Sequence, residues 1–165
     1  MGKEEFLKNY EVVYRDLYRY ALFSLGNVQD AEDVVSDAVM DAYKERESLK
    51  AIERFRSWIF TILVRKCKQK RKEYALKKDV SYEQVTDNNA SEKYLEKDDG
   101  VDLQERVMMR QMLMNLDAEE RQIILLHVIG GYTGKEIGKM LGMLPATVRS
   151  KEHRALKKLR QQIQE

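Results

Sequence analysis

Cysteine and proline are almost absent from this chain, whose 165 residues include one of each. The single cysteine, Cys67, cannot form a disulfide within the chain, so we expect a reducing, cytoplasmic location. Proline interrupts helices because it lacks a backbone N–H donor. One proline in a chain with 35% charged residues is therefore typical of an all-helical protein.

Long apolar runs and familiar catalytic groupings are also missing. Crossing a bilayer takes roughly 18 consecutive apolar residues, whereas the longest run here ends at His127 after only a few. The first segment, MGKEEFLKNY, lacks the apolar core of a secretory signal, so we expect no direct membrane insertion. No nucleophile, base and orienting group are arranged for catalysis, and no glycine loop suits a phosphate. We predict no catalytic residue, metal, cofactor or small-molecule substrate.

The net charge of +2 conceals a strong segregation of charge along the chain. Residues 1–53 carry 7 Lys and Arg against 12 Asp and Glu, and residues 79–105 carry 2 against 9. In contrast, residues 54–78 carry 10 basic against 1 acidic residue, and residues 135–160 carry 8 against 2. Two basic blocks separated by an acidic tract indicate two phosphate-contacting modules on one connector.

Apolar residues at helical spacing predict a three-helix domain over residues 1–78. The first helix should end at Gly26, the second should begin near Asn27 or Asp30, and the third should run from Phe55 to about Lys78. The expected apolar stripes are Leu7, Tyr10, Tyr14, Leu17, Tyr18, Ala21 and Leu25, then Ala31, Val34, Val35, Ala38, Val39 and Ala42, then Phe55, Trp58, Ile59, Ile62 and Leu63.

A second helical domain is predicted over residues 105–165. Residues 79–104 are polar, acidic and aperiodic, which indicates a linker. Asp117 and Glu120 form a capping box for a helix that should end near Gly130. The sequence therefore predicts an all-α fold, with two small helical domains joined by an acidic linker.

The segment GYTGKEIGKMLGMLPATVRSKEHRALKKL is typical of a helix-turn-helix. Gly138 stands where the two helices must cross closely, and Gly142 stands at the sharp turn, where a positive φ favours glycine. The second helix carries donor-rich side chains suited to a major groove: Thr147, Arg149, Ser150, Lys151, His153 and Arg154. DNA is the favoured partner, and a basic surface hairpin is the alternative.

An acidic stripe lies on the second predicted helix. Asp30, Asp33, Asp37 and Asp41 follow spacings of three and four residues, so they share a face although like charges repel. The stripe indicates either a merely solvated face or docking to a basic protein surface. A metal site is disfavoured, because no histidine lies nearby and the face is convex.

Four further features leave alternatives open. The basic third helix could bind acidic lipid. However, its apolar side is better used in closing the first domain, which leaves the basic side for nucleic acid. Trp58 is favoured as a core residue over a base-stacking platform, and His127 as a core histidine. Cys67 is favoured as an ordinary helix residue over a redox switch.

Two long segments resemble the extracytoplasmic function (ECF, group IV) sigma factors of bacterial RNA polymerase, in the sigma-70 family. YRDLYRYALFSLGNVQDAEDVVSDAVMDAYKERESL with FRSWIFTILVRKCKQKRKE resembles their region 2. MNLDAEERQIILLHVIGGYTGKEIGKMLGMLPATVRSKEHRALKKLR resembles their region 4. The resemblance covers roughly residues 6–78 and 105–160, which is nearly everything except the linker.

For region 2, the resemblance implies binding to core polymerase and recognition of a melted −10 element. The implied polymerase contacts are Asp33, Val34, Asp37 and Met40. A loop at residues 48–55 would capture a flipped non-template base. The implied −10 contacts are Arg54, Arg56, Ser57, Thr61, Arg65, Lys66 and Lys68.

For region 4, the resemblance implies recognition of the duplex −35 element. The implied contacts are Thr147, Arg149, Ser150, His153 and Arg154, with Lys151 and Lys157 on phosphates. The family also implies an anti-sigma factor, which could hold the protein near the membrane, and an acidic linker that threads through polymerase channels. No catalytic activity is expected.

This sequence departs from the family pattern at three places. Leu144 replaces a helix-capping residue, although Pro145 presets the first helical turn. Glu152 replaces an apolar residue, and it could turn outward, contact a cytosine or repel DNA. Gly134 replaces a better helix former. The alternative functions are a stand-alone helix-turn-helix DNA-binding regulator and an RNA-binding or protein-interaction module.

Overall fold

The computed structural model describes residues 1–77 and 103–164. The predicted linker, residues 79–104, lies outside the described residues except at its last two positions. The chain divides into two compact units, residues 1–86 and 87–165. Every regular element in the described ranges is helical, so the predicted all-α fold with two helical domains is confirmed. None of the described helices combines the length and apolar character needed to span a bilayer.

Unit 1, residues 1–86, is built from three long helices. They are α1 (Lys3–Leu25), α2 (Val28–Lys44) and α3 (Phe55–Leu76), and two short 3-10 turns, Arg46–Ser48 and Ile52–Arg54, connect α2 to α3. Their boundaries follow local sequence. Gly26 ends α1 with a φ of 72°, and its N–H donates to the Leu22 carbonyl at 2.7 Å. Asn27 caps α2, because its side chain accepts the Asp30 N–H at 3.0 Å.

The core of unit 1 forms where one face of each helix meets the other two. Alanines at 31, 38 and 42 are fully buried on α2. Their small side chains let the larger residues of α1 and α3 approach the α2 backbone closely. The α3 residues at the centre are Ile59, Phe60, Leu63, Val64 and Cys67.

One predicted core position is wrong at the start of α1. Leu7 is 45% exposed, whereas Phe6 is only 1% exposed. The Phe6 ring packs edge-on against Tyr43 at 5.3 Å and Phe55 at 5.4 Å between ring centroids. Both residues fit a helical stripe, and the aromatic neighbours supplied by α2 and α3 favour the larger ring.

Unit 2, residues 87–165, contains four described helices. They are α4 (Leu103–Met114), α5 (Ala118–Val128), α6 (Gly134–Leu141) and α7 (Pro145–Gln164). The predicted Asp117–Glu120 capping box opens α5. A second capping box, Thr133–Glu136, opens α6 and was not predicted. Hydrogen bonds from the backbone and side chain of Thr133 hold the pKa of Glu136 below its ordinary value of 4.5.

The helix-turn-helix consists of α6 and α7, and both of its glycines are required by geometry. A Cβ on Gly138 would lie 2.6 Å from the Met143 carbonyl oxygen. Gly142 has a φ of 70° and its N–H bonds to the Gly138 carbonyl, which closes α6. The predicted roles of these two glycines are confirmed.

Charged residues are buried on α5, which the sequence did not reveal. Glu120 is 2% exposed and accepts a bond from Lys158 Nζ on α7 at 2.7 Å. Arg121 is 6% exposed, and one of its nitrogens lies 3.5 Å and 3.4 Å from the carbonyls of Leu113 and Leu116. The prediction of a core His127 is wrong, because α5 loses its cover at its last turn and 55% of that side chain is exposed.

Candidate nucleic-acid interface

The outer face of α7 carries most of the predicted −35 residues. This face is opposite Val148 and Ala155, which are completely buried and attach α7 to the rest of unit 2. Because a helix repeats about every 3.6 residues, side chains three or four residues apart lie on the same face. The exposed residues on this face are Arg149, Ser150, His153, Arg154 and Lys157.

The structure separates two predicted residues from this face. Lys151 is turned towards α5, where its Nζ lies 2.8 Å from Glu119 Oε2 and its side chain is only 22% exposed. Thr147 is half-buried near the start of α7. The cationic part of the outer face is therefore narrower than the sequence suggested, and it consists of two arginines, one lysine and His153 when protonated.

A cleft of about 440 Å³ lies where the two 3-10 turns meet α3 in unit 1. Cationic, hydroxyl and apolar side chains line the cleft together with one aromatic ring and one carboxylate: Glu45, Ser48, Leu49, Lys50, Ala51, Arg54, Ser57, Trp58, Thr61, Ile62 and Arg65. The cleft thus brings together four predicted −10 residues, Arg54, Ser57, Thr61 and Arg65.

Trp58 lies in the wall of this cleft rather than fully in the core. Its side chain is half-buried, and its ring is 5.9 Å from the ring of Phe55. The hydroxyls beside it already donate to their own helix, Ser57 to the Arg54 carbonyl at 3.2 Å and Thr61 to the Ser57 carbonyl at 2.7 Å. Their oxygens remain able to accept a bond from a ligand amino group.

The other three predicted −10 residues lie outside the cleft. Arg56 pairs with Asp16 of α1 at 3.0 Å, and its guanidinium stacks on the Phe60 ring at 5.0 Å. Lys66 pairs with Asp41 of α2 at 2.7 Å. Lys68 is exposed. The carboxylate partners were missed because they belong to different helices, and only packing brings them to α3.

The acidic stripe of α2 divides into two pairs. Asp30 is 7% exposed, accepts a hydrogen bond from the Tyr74 hydroxyl and lies 3.8 Å from Lys70 Nζ. Asp41 faces Lys66, and their hydrogen bond lowers the pKa of Asp41 and raises the pKa of Lys66. Asp33 and Asp37 remain exposed. Of the four stripe residues, Asp33 and Asp37 therefore form no hydrogen bond or ion pair with α3 within the described residues.

Two other predicted polymerase-contact residues of α2 have opposite environments. Met40 is 57% exposed and shares the outer side of α2 with Asp33 and Asp37. Val34 is 3% exposed, because it lies on the face that α2 packs into the core. The interpretation of Val34 as a contact residue is therefore corrected, since its side chain is not accessible to a partner in this fold.

Comparison with known proteins identifies both units. Residues 10–75 match the family described as Sigma-70 region 2, and residues 106–159 match Sigma-70, region 4. The chain belongs to the sigma-70 family. It is 27% identical to the ECF RNA polymerase sigma factor SigW of Bacillus subtilis, over 93% of this chain and 86% of the relative. It is 29% identical to the ECF RNA polymerase sigma factor SigL of Mycobacterium tuberculosis, over 90% and 83%.

Two solved structures share the fold. The sigma factor RpoE of Bartonella quintana, solved in complex with the anti-sigma factor NepR, superposes with a TM-score of 0.76 at 22% identity, over 98% of both chains. CnrH, solved with the cytosolic domain of CnrY, gives 0.72 at 21% identity, over 99% of this chain and 90% of the other. The predicted membership in the ECF branch is confirmed. The stand-alone helix-turn-helix regulator is not favoured, because the chain also carries region 2.

The structure accounts for the departures of this sigma factor from its family pattern. Glu152 is 21% exposed and its Oε1 lies 3.9 Å from His127 Nδ1, so it turns towards the end of α5 rather than outward. Leu144 is 73% exposed, and its carbonyl accepts the Val148 N–H at 3.1 Å. Gly134 is the first residue of α6 rather than an interior position, which makes a glycine less costly there.

Cys67 of this sigma factor has the environment of an inert core residue. Its side chain is completely buried on α3, and burial raises the pKa of the thiol to about 12. The thiolate, which is the reactive form, is therefore suppressed at physiological pH. The structure supports the ordinary helix residue over the redox switch. Within the described residues, no cluster of acidic, histidine or cysteine side chains could hold a metal ion.

Proposed function

We propose that this ECF sigma factor binds bacterial core RNA polymerase and directs it to promoters by recognising their −35 and −10 elements. The observation that carries the proposal is the presence of regions 2 and 4 in one chain, each displaying a basic helix. In this proposal the polymerase supplies all of the chemistry. The sigma factor supplies recognition and helps to melt the −10 DNA.

In unit 2, the outer face of α7 is proposed to read the −35 element in the major groove. Arginine can form two parallel hydrogen bonds with a guanine edge, which makes Arg149 and Arg154 the strongest candidates for base readout. Ser150 and His153 lie between them and can contact either bases or phosphates. Lys157 follows one turn later, where a phosphate contact is expected. Lys151 would join them only after leaving Glu119, and Thr147 would act at the entrance to the helix.

In unit 1, the cleft beside α3 is proposed to receive an unpaired base from the melted −10 element. Extruding a base from a duplex costs a few kcal/mol, so contacts between the base and the cleft must offset that cost. Trp58 offers an aromatic surface for stacking, and Arg54 and Arg65 offer charged donors at the rim. Arg56, Lys66 and Lys68 would follow the adjoining backbone outside the cleft.

The exposed side of α2 is proposed to dock on a basic surface of core polymerase. Asp33 and Asp37 would supply the charge, and Met40 would supply an adaptable apolar contact. An anti-sigma protein is proposed to cover such surfaces in the resting state, since the similar sigma factor RpoE was solved in complex with the anti-sigma factor NepR. The proposed location is the cytoplasm, with tethering near the membrane through that partner.

The test is transcription from a promoter library by bacterial core polymerase, with and without this protein. Transcripts that appear only with the protein are expected, and their start regions would reveal both promoter elements. Replacing Asp33 and Asp37 with lysine should abolish core binding and these transcripts, while leaving the fold intact. Core binding that survives this charge reversal would reject the α2 surface. A protein that binds duplex DNA specifically but never core polymerase would favour the stand-alone regulator.

A further inference from the structure

Asp41 lies on the edge of α2 between the two proposed interfaces of unit 1. Its Oδ2 is 2.7 Å from Lys66 Nζ on the DNA side, yet 42% of the Asp41 side chain is exposed. Asp37, in the proposed polymerase surface, precedes it by one helical turn on the same helix. The Asp41 carboxylate can therefore be reached by a polymerase docked on α2, and it also contacts Lys66, which is proposed to bind the −10 DNA.

The charge of Lys66 faces carboxylates of α2 and of the residue that follows that helix. The hydrogen bond with Asp41 is the main cause of its raised pKa, and the charges of Asp37 and Glu45 add to it. Only 26% of the Lys66 side chain is exposed. Lys68, two residues later on α3, is by contrast exposed. Lys66 is therefore poorly placed to release a counterion from DNA while the ion pair persists.

We propose that Asp41 is a positioning residue that couples polymerase docking to DNA contact. In the free protein it holds Lys66 against α2. When a basic surface of polymerase docks on α2, its cations take up the Asp41 carboxylate and release Lys66 to a DNA phosphate. This inference rests on the proposed function, because it requires both interfaces of unit 1.

The exchange is physically reasonable because the ion pair is partly exposed. Water and salt screen such pairs, so they hold their partners weakly. An incoming guanidinium or ammonium can replace Lys66 at the carboxylate without disturbing the buried α2–α3 contacts. The other paired cation of α3 differs in this respect. Arg56 is held by Asp16 of α1 and by the Phe60 ring, so docking on α2 offers no competitor for it.

The coupling can be tested in the free full-length protein by a double-mutant cycle of Asp41→Asn and Lys66→Gln. The readout is the affinity for a fluorescein-labelled, mixed-sequence single-stranded oligonucleotide, measured by anisotropy across salt concentrations. Each phosphate contact steepens the logarithmic salt slope by about 0.7 for single strands. The single mutant Asp41→Asn should show this increase in the salt slope. The double mutant with Lys66→Gln should not show it. Lys66→Gln by itself should change the slope little.

Glu32→Gln is the matched control, because Glu32 is an exposed carboxylate of α2 outside both proposed interfaces. It removes the same charge, so a slope change equal to that of Asp41→Asn would overturn the proposal. An increment that persists in the double mutant would overturn it as well. Circular dichroism melts establish that each variant is folded, and a purely structural role for Asp41 would not alter the number of phosphate contacts.

The second arm of the test uses the holoenzyme on promoter DNA. There Lys66→Gln should reduce the salt slope by about 0.7 to 0.9, whereas Asp41→Asn should add nothing because Lys66 is already released. A holoenzyme insensitive to Lys66→Gln would overturn the coupling. The two proposals fail differently. If the wild-type protein forms no holoenzyme, the proposed function fails and the coupling with it. If transcription proceeds but the free-protein cycle shows no coupling, only this inference fails.

Discussion

The two basic helices of this sigma factor expose their charges in different ways. Helix α7 is the last helix of unit 2, and it packs against the rest of that unit through one narrow face. The five exposed polar side chains on its opposite face have no described carboxylate beside them. Helix α3 packs against both α1 and α2, so carboxylates from each neighbour reach its cations, as in Arg56–Asp16 and Lys66–Asp41. The comparison teaches that basic residues differ in their availability to DNA according to whether a neighbouring helix places a carboxylate beside them.

The largest effect is expected from a change that disrupts unit 2 alone. Gly138→Val places side-chain atoms against the Met143 carbonyl, where even a Cβ would lie at 2.6 Å. We expect a loss of about 3 kcal/mol or more from the free energy of unfolding of unit 2. Urea denaturation would be followed by circular dichroism for both units and by fluorescence of Trp58, the one tryptophan, for unit 1. The urea midpoint of the fluorescence transition, which reports unit 1, should not change.

Gly134→Ala provides the control for that experiment. A Cβ at this position would lie 3.9 Å from Val148, which is ordinary contact. Alanine should therefore be neutral or stabilise unit 2 by about 0.5 kcal/mol, as expected for a better helix former. A large destabilisation here would contradict the view that only the close helix crossing requires glycine.

The open face of α7 predicts unequal roles for two neighbouring cations. Arg154→Ala should weaken promoter binding by about 1–3 kcal/mol, which is roughly 5-fold to 150-fold, and relax the preference at one base pair of the −35 element. Lys151→Ala should have a much smaller effect, because Lys151 is engaged by Glu119 on α5. Competition binding of holoenzyme to −35 variants measures both. If both variants lose the same affinity and change base preference equally, the exposed Arg154 and the paired Lys151 do not differ in their roles.

The two environments on α2 can be separated by alanine substitutions. Val34→Ala should destabilise unit 1 by about 2 kcal/mol, since it removes buried methyl groups from a packed core. Met40→Ala should leave the unfolding transition almost unchanged and weaken binding to core polymerase instead. Urea titrations and a fluorescence binding assay with core polymerase give the two readouts. The assignment fails if Met40→Ala unfolds the protein while Val34→Ala only weakens polymerase binding.

The smallest effect is the pH dependence of the Asp41–Lys66 pair. The pKa of Asp41 is lowered in the folded protein, so its contribution to stability is present above the ordinary value of 3.8 and is lost as pH falls through the folded value. The pKa of Lys66 is raised, so its contribution is present below 10.5 and is lost as pH rises through the folded value. Any stability difference between wild type and Asp41→Asn should therefore persist at pH 7 and diminish as pH falls below 3.8 and through the folded pKa of Asp41. A difference that grows on acidification would contradict the ion pair.

Much of the fold could be predicted because its boundaries are set by local rules. Gly26 and Gly142 adopt positive φ, Asn27 caps α2, and Asp117 with Glu120 forms a capping box. Each depends on a few neighbouring residues and so is visible in a single sequence. The family relationship was equally accessible, since the region 2 and region 4 motifs occur in the expected order. The roles of the individual site residues remain proposals.

Charge segregation, helix periodicity and the glycines of the helix-turn-helix were thus determined by the sequence itself. Only the tertiary structure decided which side chain on each stripe meets a neighbour. Asp30 and Asp41 turn to α3 while Asp33 and Asp37 stay exposed, and Glu152 turns towards α5. Helical spacing fixes a face, but neighbouring helices cover only part of it, and their crossing angle depends on side chains far apart in the chain. The pairing of each charge is therefore a property of packing, which no local pattern contains.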